Sequence, residues 1–310
     1  LDALFFSYFY LYFIHFLFLG IIGVCMLHVR NLTSNDLSLI DLVVQAAYQQ
    51  PGSRQKALQQ YVALQADGWF VAEYNSALAG LVGATVYDAF AYIGMMSVLP
   101  SMQRRGIGRA LMEHLLLWLE QVHCPVALLD ATPAGAALYQ HFDFVAVDTV
   151  EEWRQASAQR ISVVDYPHGW RVDTLSLVDL AQLVTFDAPY FGAERTALFS
   201  LLLSEMPQRA FVVRNHRDAI TGYLFARDTM LGPWVACDEQ TAELLFTYAL
   251  SLSLATRHVI QIPGANQHAL RLVERYGFSR QRVLTHMCRG NDDLSRQRAN
   301  IYGQASYAWG

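Results

Sequence analysis

The seven residues Gln103-Arg104-Arg105-Gly106-Ile107-Gly108-Arg109 have the composition of an anion cradle. Two glycines one residue apart let a backbone turn tightly and let a ligand come close, and three arginines supply positive charge. An apolar run ends at Pro100, which cannot donate to a sheet ladder. An amphipathic helical pattern then starts near Gly108 and continues through Leu111, Leu115, Trp118 and Leu119. The cradle is thus a strand-to-helix turn, to which the first helical turn adds unpaired N–H groups, and phosphate is the guest it suits. A nucleoside-triphosphate loop needs Lys and then Ser or Thr after its last glycine, where this chain has Arg109-Ala110. A dinucleotide fingerprint needs a third Gly or Ala where it has Leu111.

With Val98-Leu99-Pro100 before it, the run matches a Val-x-Pro followed by Gln/Arg-x-x-Gly-x-Gly/Ala, and the chain resembles the GNAT acetyltransferase superfamily. The resemblance implies acetyl-CoA as cosubstrate. Its pyrophosphate would be held by Gln103, Arg104, Arg105, Gly106, Ile107, Gly108 and Arg109. Its pantetheine arm would pair with the backbone of Met96, Ser97 and Val98, which would also polarise the thioester. In the superfamily a later element reads Asn, then Tyr seven positions on, then Gly-Phe; here Thr132, Tyr139 and Asp143-Phe144 stand in those places. Thr caps a helix much as Asn does, and Asp tolerates a left-handed helix end. The resemblance gives Tyr139 the task of protonating the departing thiolate.

The implied activity is N-acetyl transfer to a small-molecule or peptide amine; the rival is an acyl-CoA binding or sensing protein without turnover. Acyl transfer needs a neutral amine, a donor for the oxyanion and a proton for the thiolate. No general base is evident. Asp130 at a strand end and Glu73 could act directly or through water, or desolvation could lower the amine's pKa and leave the proton to water. His114 and His123 lack metal-ligand spacing, and Cys25, Cys124, Cys237 and Cys288 form no Cys-x-x-Cys pair, so no metal and no disulfide framework is expected and a reducing cytoplasm fits. A net charge of −5 with one dense basic cluster argues against a nucleic-acid partner.

The elements that must position these groups follow from patterning. At 310 residues and 54% hydrophobic, the chain can form two domains. Residues 1–26 are a separate hydrophobic segment: from Ala3 to Val29 there is no Asp, Glu, Lys or Arg, and 4–25 is long enough for a bilayer anchor. Yet the chain opens on Leu without a basic leader, and its first Met is Met26, which suits an upstream extension of the reading frame. A membrane-tethered scaffold would require the anchor to be real and the cradle empty.

From Leu27 the expected order is strand, two helices, three strands, cradle and helix, then a strand at Val126 to Asp130 and a helix from Thr132-Pro133. This is an α/β arrangement with a mixed, mostly antiparallel sheet flanked by helices. A charged stretch from Glu151 reads as a connection, dividing residues 27–158 from 159–310. The second half repeats the first, most clearly in Val259 to Ile262 followed by Asn266, Ala269, Leu272, Gly277 and Phe278. Its cradle position holds Cys237-Asp238-Glu239, carboxylates where phosphate needs donors, and Val273 stands where Tyr139 does, so the second unit is read as degenerate. Phe186 to Phe191 and Trp234 are core by default and acceptor-pocket lining by exception. Tyr307 and Trp309 could dock on the body, with an unstructured terminus as the default.

Overall fold

A computed structural model describes residues 26–49, 52–156, 161–252, 258–291 and 296–310; the apolar segment 1–25, including Cys25, lies outside them. Among the described residues no helix is long and apolar enough to cross a membrane.

The first half runs β1 (Leu27–Asn31), α1 (Leu37–Tyr48), α2 (Gln55–Leu64), β2 (Trp69–Tyr74), β3 (Ala77–Val86), β4 (Ala91–Val98), α3 (Ile107–Gln121), β5 (Ala127–Ala131), α4 (Pro133–Gln140) and β6 (Val145–Gln155). The second runs β7 (Arg171–Thr174), α5 (Leu180–Phe191), α6 (Thr196–Glu205), β8 (Ala210–Arg214), β9 (Ile220–Ala226), β10 (Leu231–Ala236), α7 (Glu239–Ser251), β11 (Val259–Pro263), α8 (Gln267–Arg275), β12 (Phe278–Arg289) and β13 (Ile301–Gly303). The α/β architecture, with mixed sheets flanked by helices, is the one expected.

Local signals set several boundaries. Thr132 accepts a hydrogen bond from Gly135 N and starts α4, with Pro133 at its first position. Asp143 takes the left-handed conformation at φ 63°, the helix end that its replacement of glycine required. At α1, Asp36 accepts from Thr33 N at 2.8 Å and Thr33 Oγ1 at 2.7 Å, and from Arg30 Nη1 at 2.7 Å. The Arg30 guanidinium holds the Asp36 carboxyl well below the usual range. A carboxylate depressed in the folded state contributes stability that is full above its unfolded pKa and is lost as pH falls through the folded one. Asp36→Asn should therefore cost about 1–2 kcal/mol in urea unfolding at pH 7 and progressively less below about pH 4. A loss of the same size at pH 3 would refute the ion-pair origin.

Two sheets form, and they interlock. The larger has strand order β1-β2-β3-β4-β5-β12-β6-β11, antiparallel except for β4 beside β5; the smaller has order β13-β10-β9-β8-β7. Strand β12 of the second half thus lies between β5 and β6 of the first, with Thr285 opposite both Ala131 and Thr149. The stretch expected to be a connection from Glu151 is instead the end of β6, with Glu151, Glu152 and Trp153 buried. Its charges masked the strand because their partners come from β12: Arg282 bonds Glu152, and Arg280 lies 3.6 Å from Glu151.

The expectation of an unstructured terminus is also corrected. Trp309, Ala305 and Ala308 are almost fully buried, Tyr87 Oη donates to Trp309 O at 2.9 Å, and Trp309 meets Tyr61 edge-on at 4.8 Å. One apolar cluster joins Ile40, Leu58 and Trp69 of the first half to Phe199, Tyr223 and Trp309 of the second, so the halves share a core. Gly94 admits this segment: a Cβ there would lie 2.4 Å from Ala308 Cβ and 2.9 Å from Tyr307 O. Gly94→Val should displace residues 305–309, costing about 1–3 kcal/mol and exposing their amides to hydrogen exchange. Unchanged protection would show that this contact does not anchor the segment.

Candidate functional site

The sheet opens where β4 leaves β5. The two pair in parallel only from Ala91↔Ala127 to Ile93↔Leu129. On its other edge β4 breaks register with β3 between Leu81 and Gly83, where Met95 and Met96 stand against the single residue Val82 and Met95 sits at φ 59°. A bulge of this kind bends a strand and frees backbone groups from the ladder. Here it leaves a cavity of about 460 Å³ whose wall includes Gly94, Met95, Met96, Leu138 and Tyr139 from the first half and Arg227, Met230 and Gln261 from the second.

Of the residues expected to hold the cosubstrate's arm, Met96 lines this cavity, and Tyr48 Oη donates to its carbonyl at 3.1 Å. Burial pushes the Tyr48 phenol up to about 12. Ser97 and Val98 pair with Leu81 and Gly80 on the β3 side, and the buried Ser97 hydroxyl donates to Met95 O at 3.0 Å.

The cradle follows. Gln103 Nε2 bonds Val98 O at 3.2 Å, Arg104 is left-handed at φ 60°, and Gly106 is left-handed at φ 80° as the N-cap of α3. A Cβ on Gly106 would meet nothing within 4 Å, so the turn is open at this glycine. One on Gly108 would stand 3.4 Å from Leu138 Cδ2, which brings the turn up to the cavity wall. Ile107 is buried beneath. Arg105 lies over the Tyr74 ring at 5.4 Å, and Arg109 is exposed with Nε bonded to Glu113 at 2.8 Å. Open glycine backbone, a helix N-terminus and exposed arginines fit a pyrophosphate.

Tyr139 is only 7% exposed, packs on Phe144 and faces the cavity. Burial raises its phenol well above the ordinary value, so the proton is retained at neutral pH. The two carboxylates considered as bases part company. Glu73 accepts from Arg30 at 2.7 Å on β2 and is not among the residues lining the cavity. Asp130 is on the wall, with both oxygens engaged: Oδ2 accepts from Tyr92 Oη at 2.6 Å and Oδ1 contacts His286 Nδ1 at 2.8 Å. His286 Nε2 faces Arg296 Nη1, which can only donate, so Nδ1 carries the imidazole proton and donates to Asp130. His286 comes from β12, so the interlocked strand fixes this carboxylate.

The sequence reading missed Tyr48, Glu152, Arg227, Arg282 and Tyr307 on the wall. No local motif marks them; the register of β6 with β12 and the docked segment 301–310 bring them together. Phe191 and Trp234 are core and line no part of this cavity. His114 packs edge-on against Phe70. Among the described residues no three His, Cys, Asp or Glu side chains are placed to hold a metal ion, and Cys124, Cys237 and Cys288 are unbridged.

The second half repeats the plan with changes. Asn266 caps α8, accepting from Ala269 N at 2.8 Å, and Val273 seven residues on is buried. Asp238 caps α7 by accepting from Thr241 N at 2.7 Å. Between β10 and β11, which meet in a single parallel bridge at Met230↔Val259, lies the segment of β13: Trp234 pairs with Gly303, and Gln304 N donates to Gln261 O at 2.8 Å.

Residues 50–144 match the model of the acetyltransferase (GNAT) family, and residues 183–303 match that of an acetyltransferase (GNAT) domain. No curated protein sequence matches the chain. Among solved structures, a presumptive acetyltransferase from Pyrococcus horikoshii is similar at 23% identity and TM-score 0.79, covering 92% of this chain and 96% of its own. A GCN5-related N-acetyltransferase from Sphaerobacter thermophilus is similar at 13% identity and TM-score 0.68, with coverage of 87% and 98%. A tandem GNAT protein from the clavulanic acid biosynthesis pathway is similar at 14% identity and TM-score 0.63, with coverage of 86% and 98%. At such identities these three likenesses speak for the fold, and the two family matches, which together take in more than half of the residues, speak for the family. The chain belongs to the GNAT acetyltransferase superfamily and is an acyltransferase with two GNAT domains, a family whose cosubstrate is an acyl-CoA.

Proposed function

We propose that the protein is an acetyl-CoA-dependent N-acetyltransferase of two units, residues 27–158 and 159–310, with one acyl-transfer centre, in the first. The observation that carries this reading is the opening between β4 and β5, with the bulged Met95-Met96 backbone on one side, Tyr139 on the other and the glycine-arginine turn against its wall. The second unit lacks these parts: its corresponding gap holds β13, its helix N-terminus is capped by Asp238, and Val273 has no proton to give.

In this reading the α3 N-terminus, Arg104 and Arg105 hold the pyrophosphate, and the β4 backbone at Met96 to Val98 orients the acyl arm and polarises its carbonyl. The acceptor nitrogen forms the new C–N bond as the C–S bond breaks. Tyr139 delivers its proton to the departing sulfur, and the nitrogen's proton passes to water, because Asp130 has both oxygens committed.

Calorimetric titration of acetyl-CoA into the chain should saturate at one site per chain. Gly106→Glu, whose side chain enters open space but carries a carboxylate into the cradle, should weaken binding by about tenfold or more. Gly106→Ala carries the same backbone strain without the charge and should retain more of the affinity. No saturation with the unaltered chain would sink this function.

A further inference from the structure

The wall of the cavity has a charge that a plain amine does not match. Its wall carries four arginines, Arg54, Arg154, Arg227 and Arg282, against two carboxylates, Asp130 and Glu152. Both carboxylates are already committed. Asp130 is held by His286 and Tyr92, and Glu152 Oε2 accepts from Arg282 Nη2 at 2.6 Å and from Tyr307 Oη at 3.1 Å, with Arg154 3.9 Å from its other oxygen.

Arg227 is a member with no carboxylate within ion-pair distance among the described residues. Its Nη1 bonds Ala305 O at 2.5 Å and touches Met230 Sδ at 3.8 Å, and its guanidinium lies 5.7 Å from the centre of the Trp309 ring. Its Nε and Nη2 make no hydrogen bond among the described residues. Glu205 and Asp228 act on it only at longer range, and Glu205 is bonded to Gln60 and faces Lys56. Burial lowers its pKa, so the cation is short of compensation. A guanidinium fixed at one nitrogen, with two donors unbonded in a residue that lines a cavity, suits bidentate capture of a carboxylate.

Resting on the acyl-transfer reading above, we propose that the acceptor is a small amine that carries a carboxylate, an amino acid in the broad sense, and that Arg227 of the second unit binds that carboxylate. The Arg227 guanidinium disfavours polyamines and other purely cationic acceptors, while the carboxylate of an amino acid offsets its charge and leaves the amine to reach the β4 bulge. Arg227 is then a specificity residue supplied by the half of the chain that contributes no acyl-binding turn.

The test is steady-state acylation by the full chain at saturating acetyl-CoA, with the proteinogenic α-amino acids measured beside the matching amino-acid amides and beside spermidine. At least one amino acid should exceed its amide by about tenfold or more in kcat/KM, because the amide leaves the fork unpaired. Arg227→Gln should raise the amino-acid KM by about 10- to 100-fold, leave kcat within about threefold and leave the KM for acetyl-CoA unchanged; Arg227→Lys should recover part of the loss. Intact acetyl-CoA binding with amides or spermidine used as well as amino acids, or with no amino acid turned over, overturns this inference alone. So does an Arg227→Gln defect confined to kcat. Absence of acetyl-CoA binding overturns the acyl-transfer reading instead.

Discussion

Tyr139→Phe is expected to lower kcat by about 10²- to 10⁴-fold, the range over which a positioned general acid acts, with acetyl-CoA affinity within about twofold of the unaltered chain. The substitution removes one oxygen and keeps the ring that packs on Phe144, so the fold and the cavity wall are retained. The sign of the pH effect follows from burial. The phenol's pKa is raised, so Tyr139 is in its proton-bearing form throughout the neutral range. Its loss of activity by deprotonation begins only above about pH 10, the ordinary tyrosine value. The kcat profile of the unaltered enzyme should show no decline attributable to this residue between about pH 7 and 9. A phenylalanine variant with kcat within about twofold would remove Tyr139 from the chemistry and pass the thiolate's proton to solvent.

The second large effect is on stability. Arg195 at the start of α6 is 2% exposed and bonds both oxygens of the fully buried Asp187 on α5, at 2.8 and 2.7 Å. Tyr223 Oη completes a closed triangle, accepting from Arg195 at 2.9 Å and donating to Asp187 at 2.6 Å. The guanidinium also lies between the Phe191 and Phe199 rings, at 4.0 and 5.1 Å. Asp187→Ala would leave a cation in that apolar setting without its carboxylate side chain and with Gly310 O at 3.4 Å in its place, and should cost about 3–5 kcal/mol in denaturant unfolding. The double variant Asp187→Ala, Arg195→Met removes the stranded charge and should lose markedly less. A double variant as unstable as the single one would place the effect in packing.

The turn and the elements around it were legible because each is coded locally. The cradle, its helix and the capped α4 announce themselves through glycine, proline and threonine at fixed spacings, and periodicity set β2 to β4 to within a residue or two. The strands that interlock were not legible for the opposite reason. The end of β6 is rich in charge, and β12 carries Arg280 and Arg282 in a stretch where alternation is broken by bulges. Such a strand is stable only beside its partner, whose matching charges lie more than a hundred residues away. The segment 301–310 mixes small and polar residues with Ile301, Tyr302, Tyr307 and Trp309 in no regular period, and its burial comes from the pairing of β13 with β10 and the docking of Trp309 on Tyr61 and of Ala308 on Gly94. On the cavity wall Arg282 and Tyr307 come from these same pieces and Arg227 is bonded to Ala305 of one of them, so these three could not be foreseen even though Tyr139 and Met96 could.

The place of β12 has a consequence for how the molecule is made. A ribosome releases the chain from its first residue onward, and an amino-terminal domain ordinarily folds while the rest is still being synthesised. Here β5 has emerged long before Thr285, which it must face, and until then the edge of β5 and the facing edge of β6 lack a neighbour. The nascent first half therefore carries an open sheet margin through the synthesis of some 150 further residues, the separation between Ala131 and Thr285. An unpaired margin of that kind invites other strands to add to it. The charged residues that hid β6 from the sequence reading are also the kind that keep such a margin from joining the wrong chain.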